Sequence, residues 1–181
     1  MGYYAFVENF SDYDVNKRDD ENVTLLHWSA INNRQEIAKF LIDRGAIIDA
    51  IGGELISTPI HWATRQGKTT NVFSDQIISE WKFIRVGCKR YITIKTQFNL
   101  GHLPMIVLLL KHGADPTYKD GEGCNCLHLA AQLGHTAIAA YFVAKGCDVN
   151  GPDANGMSPL MWACFRSTSG VDPARLLIRV C

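Results

Sequence analysis

Long apolar runs are missing from this chain of 181 residues. The longest apolar stretch extends from about Leu103 to Leu110, well short of the roughly 20 residues that cross a bilayer. The N-terminus shows no charged-then-apolar signal peptide, and Phe6 stands where a myristoylation signal requires Ser or Thr. The sequence therefore predicts a chain without a membrane span.

An excess of charge of either sign is also missing. Eighteen basic residues balance 18 acidic residues, so the formal net charge is zero. A nucleic-acid-binding protein is usually basic, and a trap for acidic ligands needs a positive field. Composition therefore predicts neither kind of partner.

Disulfide spacing and catalytic motifs are the remaining absences. Six cysteines follow no framework pattern, so we expect free thiols and an intracellular setting.

Motifs for catalysis are missing as well, since no Gly-x-Ser-x-Gly, phosphate loop or His-Glu-x-x-His occurs. Cys124, Cys126 and His128 are soft ligands close together, but a structural zinc site needs four. Residues 120–123 suit a tight turn better than a calcium loop. We predict no catalytic residue and no metal ligand.

One seven-residue sequence motif, which we call the phrase, is present four times. It starts with a polar residue, has His or Met at its fourth position, and continues with Trp or Leu and small residues. The fourth position falls at 27, 61, 128 and 161, in steps of 34, 67 and 33 residues. The long step equals one period of 33 plus 34 extra residues, which indicates a regular repeat with an insertion. The copies are Thr24–Ala30, Thr58–Thr64, Asn125–Ala131 and Ser158–Cys164.

A second apolar segment follows three of the copies and ends in a basic residue and Gly. These pairs, which are typical of a helix end with a left-handed cap, are Arg44-Gly45, His112-Gly113 and Lys145-Gly146. The spacing predicts pairs of helices joined by hairpin-like loops. First helices are expected near 24–33, 58–66, 125–133 and 158–166, and second helices near 35–44, 103–112, 136–145 and 173–179.

These units resemble the ankyrin repeat, which starts with Thr-Pro-Leu-His-x-Ala-Ala and ends with Gly-Ala-Asp. The resemblance implies an all-α solenoid of about four units. It also implies that His27, His61 and His128 bond backbone between neighbouring units. Thr24, Thr58 and Ser158 would cap their first helices, and Pro59 and Pro159 would occupy the first turn.

Longer strings resemble one group of ankyrin proteins, the huntingtin-interacting palmitoyltransferases of the Asp-His-His-Cys family. Those strings include Asp20–Trp28 and Ser57–Gly67, and the likeness covers about 13–67 and 101–179. We therefore divide the chain into a lead-in at 1–19, with a partial repeat as an alternative, and an ankyrin domain at 20–181. The insertion within that domain is 68–101.

The resemblance implies an activity that this chain cannot perform alone. Enzymes of the family transfer palmitoyl from palmitoyl-CoA through a thioester on the motif Cys, which lies in a zinc-bound domain between membrane helices. No His-His pair occurs in the sequence, so we expect a fragment without its own cofactor. The parent would be a multi-pass protein of the Golgi or vesicles, with these repeats on the cytosolic face.

Trp62 and Asn32 are the candidate site residues. In the resembling family, the matching positions line a groove that holds a short proline-containing motif of protein substrates. Trp28 and Trp162 occupy the same phrase position as Trp62, and we interpret them as packing between helices. The predicted function is substrate docking for a protein S-palmitoyltransferase. The alternative is a free-standing ankyrin adaptor without an attached enzyme.

The insertion has a foreign composition. Residues 68–101 contain no Ala, Pro or His, and they carry six basic and two acidic residues against 12 and 16 elsewhere. Removing them joins Gly67 to His102 and restores a step of 33 between His61 and His128. Gly67-Lys68 can be encoded across a splice donor, and the codons for residues 99–101 can end on an acceptor AG. We interpret the segment as a translated intron, whereas the alternative is a true loop whose closure costs only about 2 kcal/mol. With Trp81, Phe83, Ile84 and Tyr91 and no partner unit, such a segment is expected to be poorly ordered or loosely packed.

Sequencing of complementary DNA across the codons for Gln66 and His102 tests the intron hypothesis. We expect the dominant message to lack the segment and to encode a tighter, more stable domain. A dominant message that retains all 34 codons would refute the hypothesis.

Overall fold

The computed structural model describes residues 13–67, 82–86, 89–93, 102–166 and 173–178. Eight helices lie within these ranges and form four consecutive pairs, as the sequence predicts, with bounds within about two residues of those expected. The pairs are α1 (Leu25–Ile31) with α2 (Gln35–Asp43), α3 (Pro59–Arg65) with α4 (Leu103–Lys111), α5 (Cys126–Gln132) with α6 (Thr136–Ala144), and α7 (Pro159–Arg166) with α8 (Pro173–Ile178). We call the pairs units 1 to 4.

The first helices stack in chain order, so α1 contacts α3, α3 contacts α5, and α5 contacts α7. Equivalent positions in the units form the core between the two helix layers. The third phrase position is fully buried in three units, at Leu26, Ile60 and Leu127. Ala occupies the seventh or sixth position throughout and is also buried, which lets neighbouring helices approach closely. These alanines are Ala30, Ala63, Ala130 and Ala163.

Each phrase His caps its own helix and bonds to the next unit. Nδ1 of His27 accepts the backbone N–H of Thr24 at 3.3 Å, and its Nε2–H donates to the carbonyl of Ser57 at 3.0 Å. His61 repeats the arrangement with Thr58 at 3.3 Å and Tyr118 at 3.0 Å, and His128 with Asn125 at 3.3 Å and Met157 at 3.2 Å. A carbonyl can only accept, so Nε2 of each ring carries a proton. The implied structural role of these histidines is confirmed.

Left-handed glycines end three of the second helices, as predicted. Gly45, Gly113 and Gly146 follow the C-cap residues Arg44, His112 and Lys145 with φ of 86°, 97° and 90°. Glycine adopts this conformation without a steric penalty, so each helix ends there and the chain enters the next hairpin loop.

Hairpin loops connect the units and touch one another at their tips. Three backbone bonds join neighbouring tips: Gly53 N–H to the Glu21 carbonyl at 3.2 Å, Gly121 N–H to Leu55 at 2.7 Å, and Ala154 N–H to Glu122 at 3.3 Å. The tips therefore form one continuous row along the solenoid. We define them as residues 19–22, 53–56, 120–123 and 153–156.

The insertion contains a feature that the sequence analysis did not predict. Strand β1 (Lys82–Val86) pairs antiparallel with β2 (Lys89–Thr93), with Ile84 opposite Tyr91. The rest of 68–101 lies outside the described residues, so the expectation of loose packing is not tested there. At the exit from α3, Gly67 does not take positive φ, whereas Asn33 and Gly134 in equivalent turns do, at 54° and 76°. The turn of unit 2 thus departs from the other two.

None of the helices within the described ranges has the length and apolar character needed to cross a membrane.

Acid should destabilise this solenoid through its phrase histidines. Burial is the largest cause that lowers the pKa of His27, His61 and His128 below the ordinary value. A folded-state pKa below the unfolded value means that the unfolded chain binds protons first, so stability is present above about pH 6.5 and falls as the pH drops below it. We expect the melting temperature to decrease steadily from about pH 7.5 to about pH 5.

The exposed His112 supplies a control, because His112→Gln should leave this decrease in place. A melting temperature that stays level over the range would contradict the prediction.

Candidate functional site

The indole of Trp62 lies where α3 meets the hairpin that precedes it. The side chain is half-buried, and its Nε1–H donates to Oγ of Ser57 at 3.0 Å. A Cβ at Gly53 would lie only 3.0 Å from Cζ2 of Trp62, and Gly53 has φ of 73°. Glycine at this position therefore lets the indole rest against the hairpin backbone.

Trp28 stands beside Trp62 on the neighbouring first helix. The two rings meet edge to face, with centroids 5.6 Å apart and planes at 78°. His27 also meets Trp62 edge to face, at 5.3 Å and 69°. Such aromatic pairs favour one orientation of the rings. We call Trp28 and Trp62 the tryptophan pair.

Asn32, the second predicted site residue, caps the C-terminus of α1 and is exposed. Its Nδ2 donates to the backbone carbonyl of Trp28 at 2.9 Å. Asn32 is thus linked to Trp62 through Trp28, and the three residues lie along the stacked helices α1 and α3.

Trp28 packs against Trp62 of the neighbouring first helix, as interpreted, but it is not an internal residue. Its side chain is 43% exposed, and its Nε1–H donates to Asp19 at 2.9 Å. This hydrogen bond is the largest cause that lowers the pKa of Asp19, so the carboxylate remains charged. Trp162 is half-buried and donates to Asp153 at 2.8 Å, which fits the predicted packing role.

The sequence contained a signal that distinguishes the tryptophans. The position five residues before each helix cap holds Asp19, Gly53, Asp120 and Asp153. In units 1 and 4 this Asp binds the Trp of its own unit. Unit 2 has Gly53 at this position, so it supplies no carboxylate to the indole. Trp62 bonds to Ser57 instead.

A charged pair lies one helical turn beyond Trp62. Arg65 bonds to the buried carboxylate of Asp120 at 2.6 Å, which connects α3 to the third hairpin. Trp62 therefore has Trp28 of unit 1 as one neighbour, and the Arg65–Asp120 salt bridge begins one helical turn further along α3.

Three of the four described thiols are buried, at Cys124, Cys126 and Cys147, and Cys164 is exposed. Cys124, Cys126, Cys147 and Cys164 are free, which confirms the prediction for these four. Burial is the main cause that raises the pKa of Cys124 to about 12 and that of Cys147 to about 11, so neither supplies a thiolate at neutral pH. No group of three or more His, Cys, Asp or Glu that could hold a metal occurs among the residues the structure describes.

Comparison with known proteins agrees with this architecture. The family model for ankyrin repeats (three copies) matches residues 2–73 and 94–179, and the chain belongs to the ankyrin-repeat family. Its fold is thereby confirmed as the stacked helical solenoid that presents a surface to other proteins. The interval between the two matched ranges falls inside the insertion, whose boundaries stay a prediction.

The chain is similar to a particular group of ankyrin proteins. It is 51% identical over 166 residues to palmitoyltransferase ZDHHC17 of Homo sapiens and to that of Danio rerio, which covers 92% of this chain and 21% of each relative. Putative palmitoyltransferase ZDHHC13 of Danio rerio is 43% identical over 167 residues, with 92% of this chain and 20% of the relative covered. The resemblance noted from the sequence is confirmed. The chain spans about a fifth of the length of these relatives.

Gly53→Ala should displace the indole of Trp62. The new methyl group would meet Cζ2 at 3.0 Å, and the backbone would remain at φ of 73°, which costs a non-glycine residue about 1 kcal/mol or more. We expect a lower melting temperature and a shifted tryptophan emission spectrum. Gly45→Ala is the matched control, because it carries the same backbone penalty at φ of 86° without a neighbour within 4 Å. Equal spectra for the two variants would show that Gly53 does not position Trp62.

Proposed function

We propose that this domain docks substrate proteins for a protein S-palmitoyltransferase by holding a short proline-containing segment on Trp62. The observation that carries the proposal is the half-buried indole held by Ser57, His27 and Trp28. An indole fixed in this way presents a rigid apolar face with little entropy left to lose on binding.

A proline-containing segment suits such a face. Its extended backbone is already restricted, and aromatic surfaces commonly receive proline rings in this conformation. Trp is also the residue type most often found to dominate the energy of an interface. Trp62 is therefore the proposed anchor, and the exposed Trp28 extends the same apolar surface.

Asn32 is the proposed polar contact. One N–H of its amide bonds to the carbonyl of Trp28 at 2.9 Å, which fixes the direction of the side chain. An amide also carries a second N–H and a carbonyl oxygen, and both groups match the backbone of an extended peptide. The proposed partners are consequently protein segments, with Asn32 setting their position relative to Trp62.

The acyl transfer itself is assigned to a part of the parent enzyme other than these repeats. The relatives are named palmitoyltransferases, and no His-His pair of the Asp-His-His-Cys motif occurs here. Palmitoyl-CoA and zinc would belong to that catalytic part, on the cytosolic side of a Golgi or vesicle membrane. Docking would raise the effective concentration of the substrate cysteine near the acylated enzyme without any further contact.

Trp62→Ala tests the anchor. We expect binding of a substrate peptide with one proline to weaken by about 2 kcal/mol or more, because the indole is the main apolar contact. The fold should survive, since the side chain is only half-buried. Calorimetry of peptide binding and thermal melts of the same samples give both quantities.

Trp162→Ala is the control variant, since it removes an indole at the same position of another unit. It should leave peptide affinity unchanged. A peptide affinity of Trp62→Ala equal to that of the unaltered domain would remove Trp62 from the site. A loss of about 3 to 5 kcal/mol of folding stability would instead identify Trp62 as a core residue.

A further inference from the structure

The outer side of α6 differs from that of the other second helices. We define the outer side by two equivalent positions, which hold Glu36 and Lys39 in α2, Pro104 and Val107 in α4, and Ala137 and Ala140 in α6. The pair in α2 is exposed and the pair in α4 is half-buried. Ala137 and Ala140 are each only 1% exposed. The outer side of α6 is therefore both uncharged and covered, although the same positions face solvent in unit 1.

Strand β2 of the insertion lies against α6. Within the repeats α6 contacts α5 and α8, and it also contacts β2. The second helix of unit 1, α2, contacts α1 and α4 and has exposed outer positions. The strand is thus the additional neighbour of the helix whose outer positions are buried.

The hairpin of β1 and β2 needs such a neighbour. A two-stranded hairpin is marginally stable in water unless it packs against a helix or further strands. In its register Ile84 is opposite Tyr91, and Phe83 is opposite Ile92. Successive residues of a strand belong to opposite faces, so each face of the hairpin has one apolar pair. The repeat pattern supplies no partner unit for these residues, and α6 provides an apolar helix beside them.

The composition of α6 suits a covering strand. None of its nine residues, Thr136–Ala144, is charged. Covering α2 in the same way would remove water from Glu36 and Lys39, which costs free energy unless each charge is paired. Alanine has no polar group to desolvate, and its small side chain lets a strand backbone approach closely. Among the second helices of units 1 to 3, α6 therefore fits a covering hairpin best.

The covered face is separate from the candidate site. Trp62 lies on a first helix, α3, and bonds to the hairpin that precedes it, whereas α6 belongs to the layer of second helices. An inference about α6 is consequently independent of the proposed docking function.

We propose that the outer side of α6 is a docking surface for a β-hairpin and that the insertion of this chain occupies it. The hairpin of β1 and β2 then acts as an internal cover, which keeps Ala137 and Ala140 away from solvent and from other molecules. A chain without residues 68–101 would present the same apolar surface uncovered. Retention or loss of the segment thereby determines whether this surface is available.

Ala140→Lys in the full chain should detach the hairpin, because a covered ammonium group without a partner is strongly unfavourable. The helix itself tolerates Lys at this position, since α2 has Lys39 there. Proteolysis follows the population of the open form, so trypsin should cut the hairpin about tenfold faster than in the unaltered chain. Mass spectrometry of the fragments gives the rate at each site. The hairpin sites are Lys82, Arg85, Lys89 and Arg90.

Two controls separate a detached hairpin from general unfolding. Cleavage after Lys111 and Lys119, which lie in the repeats, should keep its rate, whereas unfolding of the whole domain would accelerate it. Ile37→Lys adds the same charge to α2 at a residue that is 53% exposed, and it should leave cleavage of the hairpin unchanged. A folded Ala140→Lys variant whose hairpin is cut no faster than that of the unaltered chain would overturn the proposal.

Disulfide trapping tests the same contact without opening it, and it decides the question if Ala140→Lys does not fold. Residues 91 and 92 belong to opposite faces of β2, so only one of Tyr91→Cys and Ile92→Cys should cross-link to Ala137→Cys or Ala140→Cys. Copper phenanthroline serves as the oxidant, and mass spectrometry identifies the linked peptides. Neither strand variant should cross-link to Lys39→Cys on α2. Absence of any cross-link to α6, or equal cross-linking to Lys39→Cys, would show that the hairpin does not cover α6.

Discussion

The hydrogen bonds of the phrase histidines hold this solenoid together. Each ring accepts the N–H of the residue that caps its own helix and donates to a carbonyl of the following unit, at Ser57, Tyr118 or Met157. One neutral side chain therefore links the start of a helix to the register between units. The buried position of each ring keeps it neutral and also makes the bond sensitive to acid. Local capping and long-range stacking consequently depend on the same protonation state.

The second unit keeps these hydrogen bonds but differs from the other units at three places in its loops. Gly53 replaces the Asp that binds the indole in units 1 and 4, Ile56 takes a left-handed conformation where the other units have Asn or Gly, and the insertion interrupts the turn after Gly67. The first two changes lie on the hairpin that positions Trp62, and both reduce polar coverage of the surface there. An irregular hairpin on a regular scaffold suits the proposed docking site, because the neighbouring units supply rigidity.

Most of the fold could be predicted from the chain itself. The bounds of all eight helices, the left-handed glycines after α2, α4 and α6, and the bonding of His27, His61 and His128 agree with expectation. The candidate site was predicted less completely. Trp62 and Asn32 were predicted from the resemblance. Trp28 does pack against Trp62 as predicted, but its partial exposure beside Trp62 was not predicted. A phrase position alone does not reveal whether its indole faces a neighbouring helix or the solvent.

The sequence by itself determined the period, the helix pairs and their caps, because these depend on apolar spacing and on hydrogen bonds between residues close together in the chain. Only the tertiary structure decided which side chains lie together at the candidate site. The orientation of Trp62 depends on Gly53 and on rings from unit 1. These are contacts between units, and they exist only after the repeats have stacked and their hairpin tips have joined.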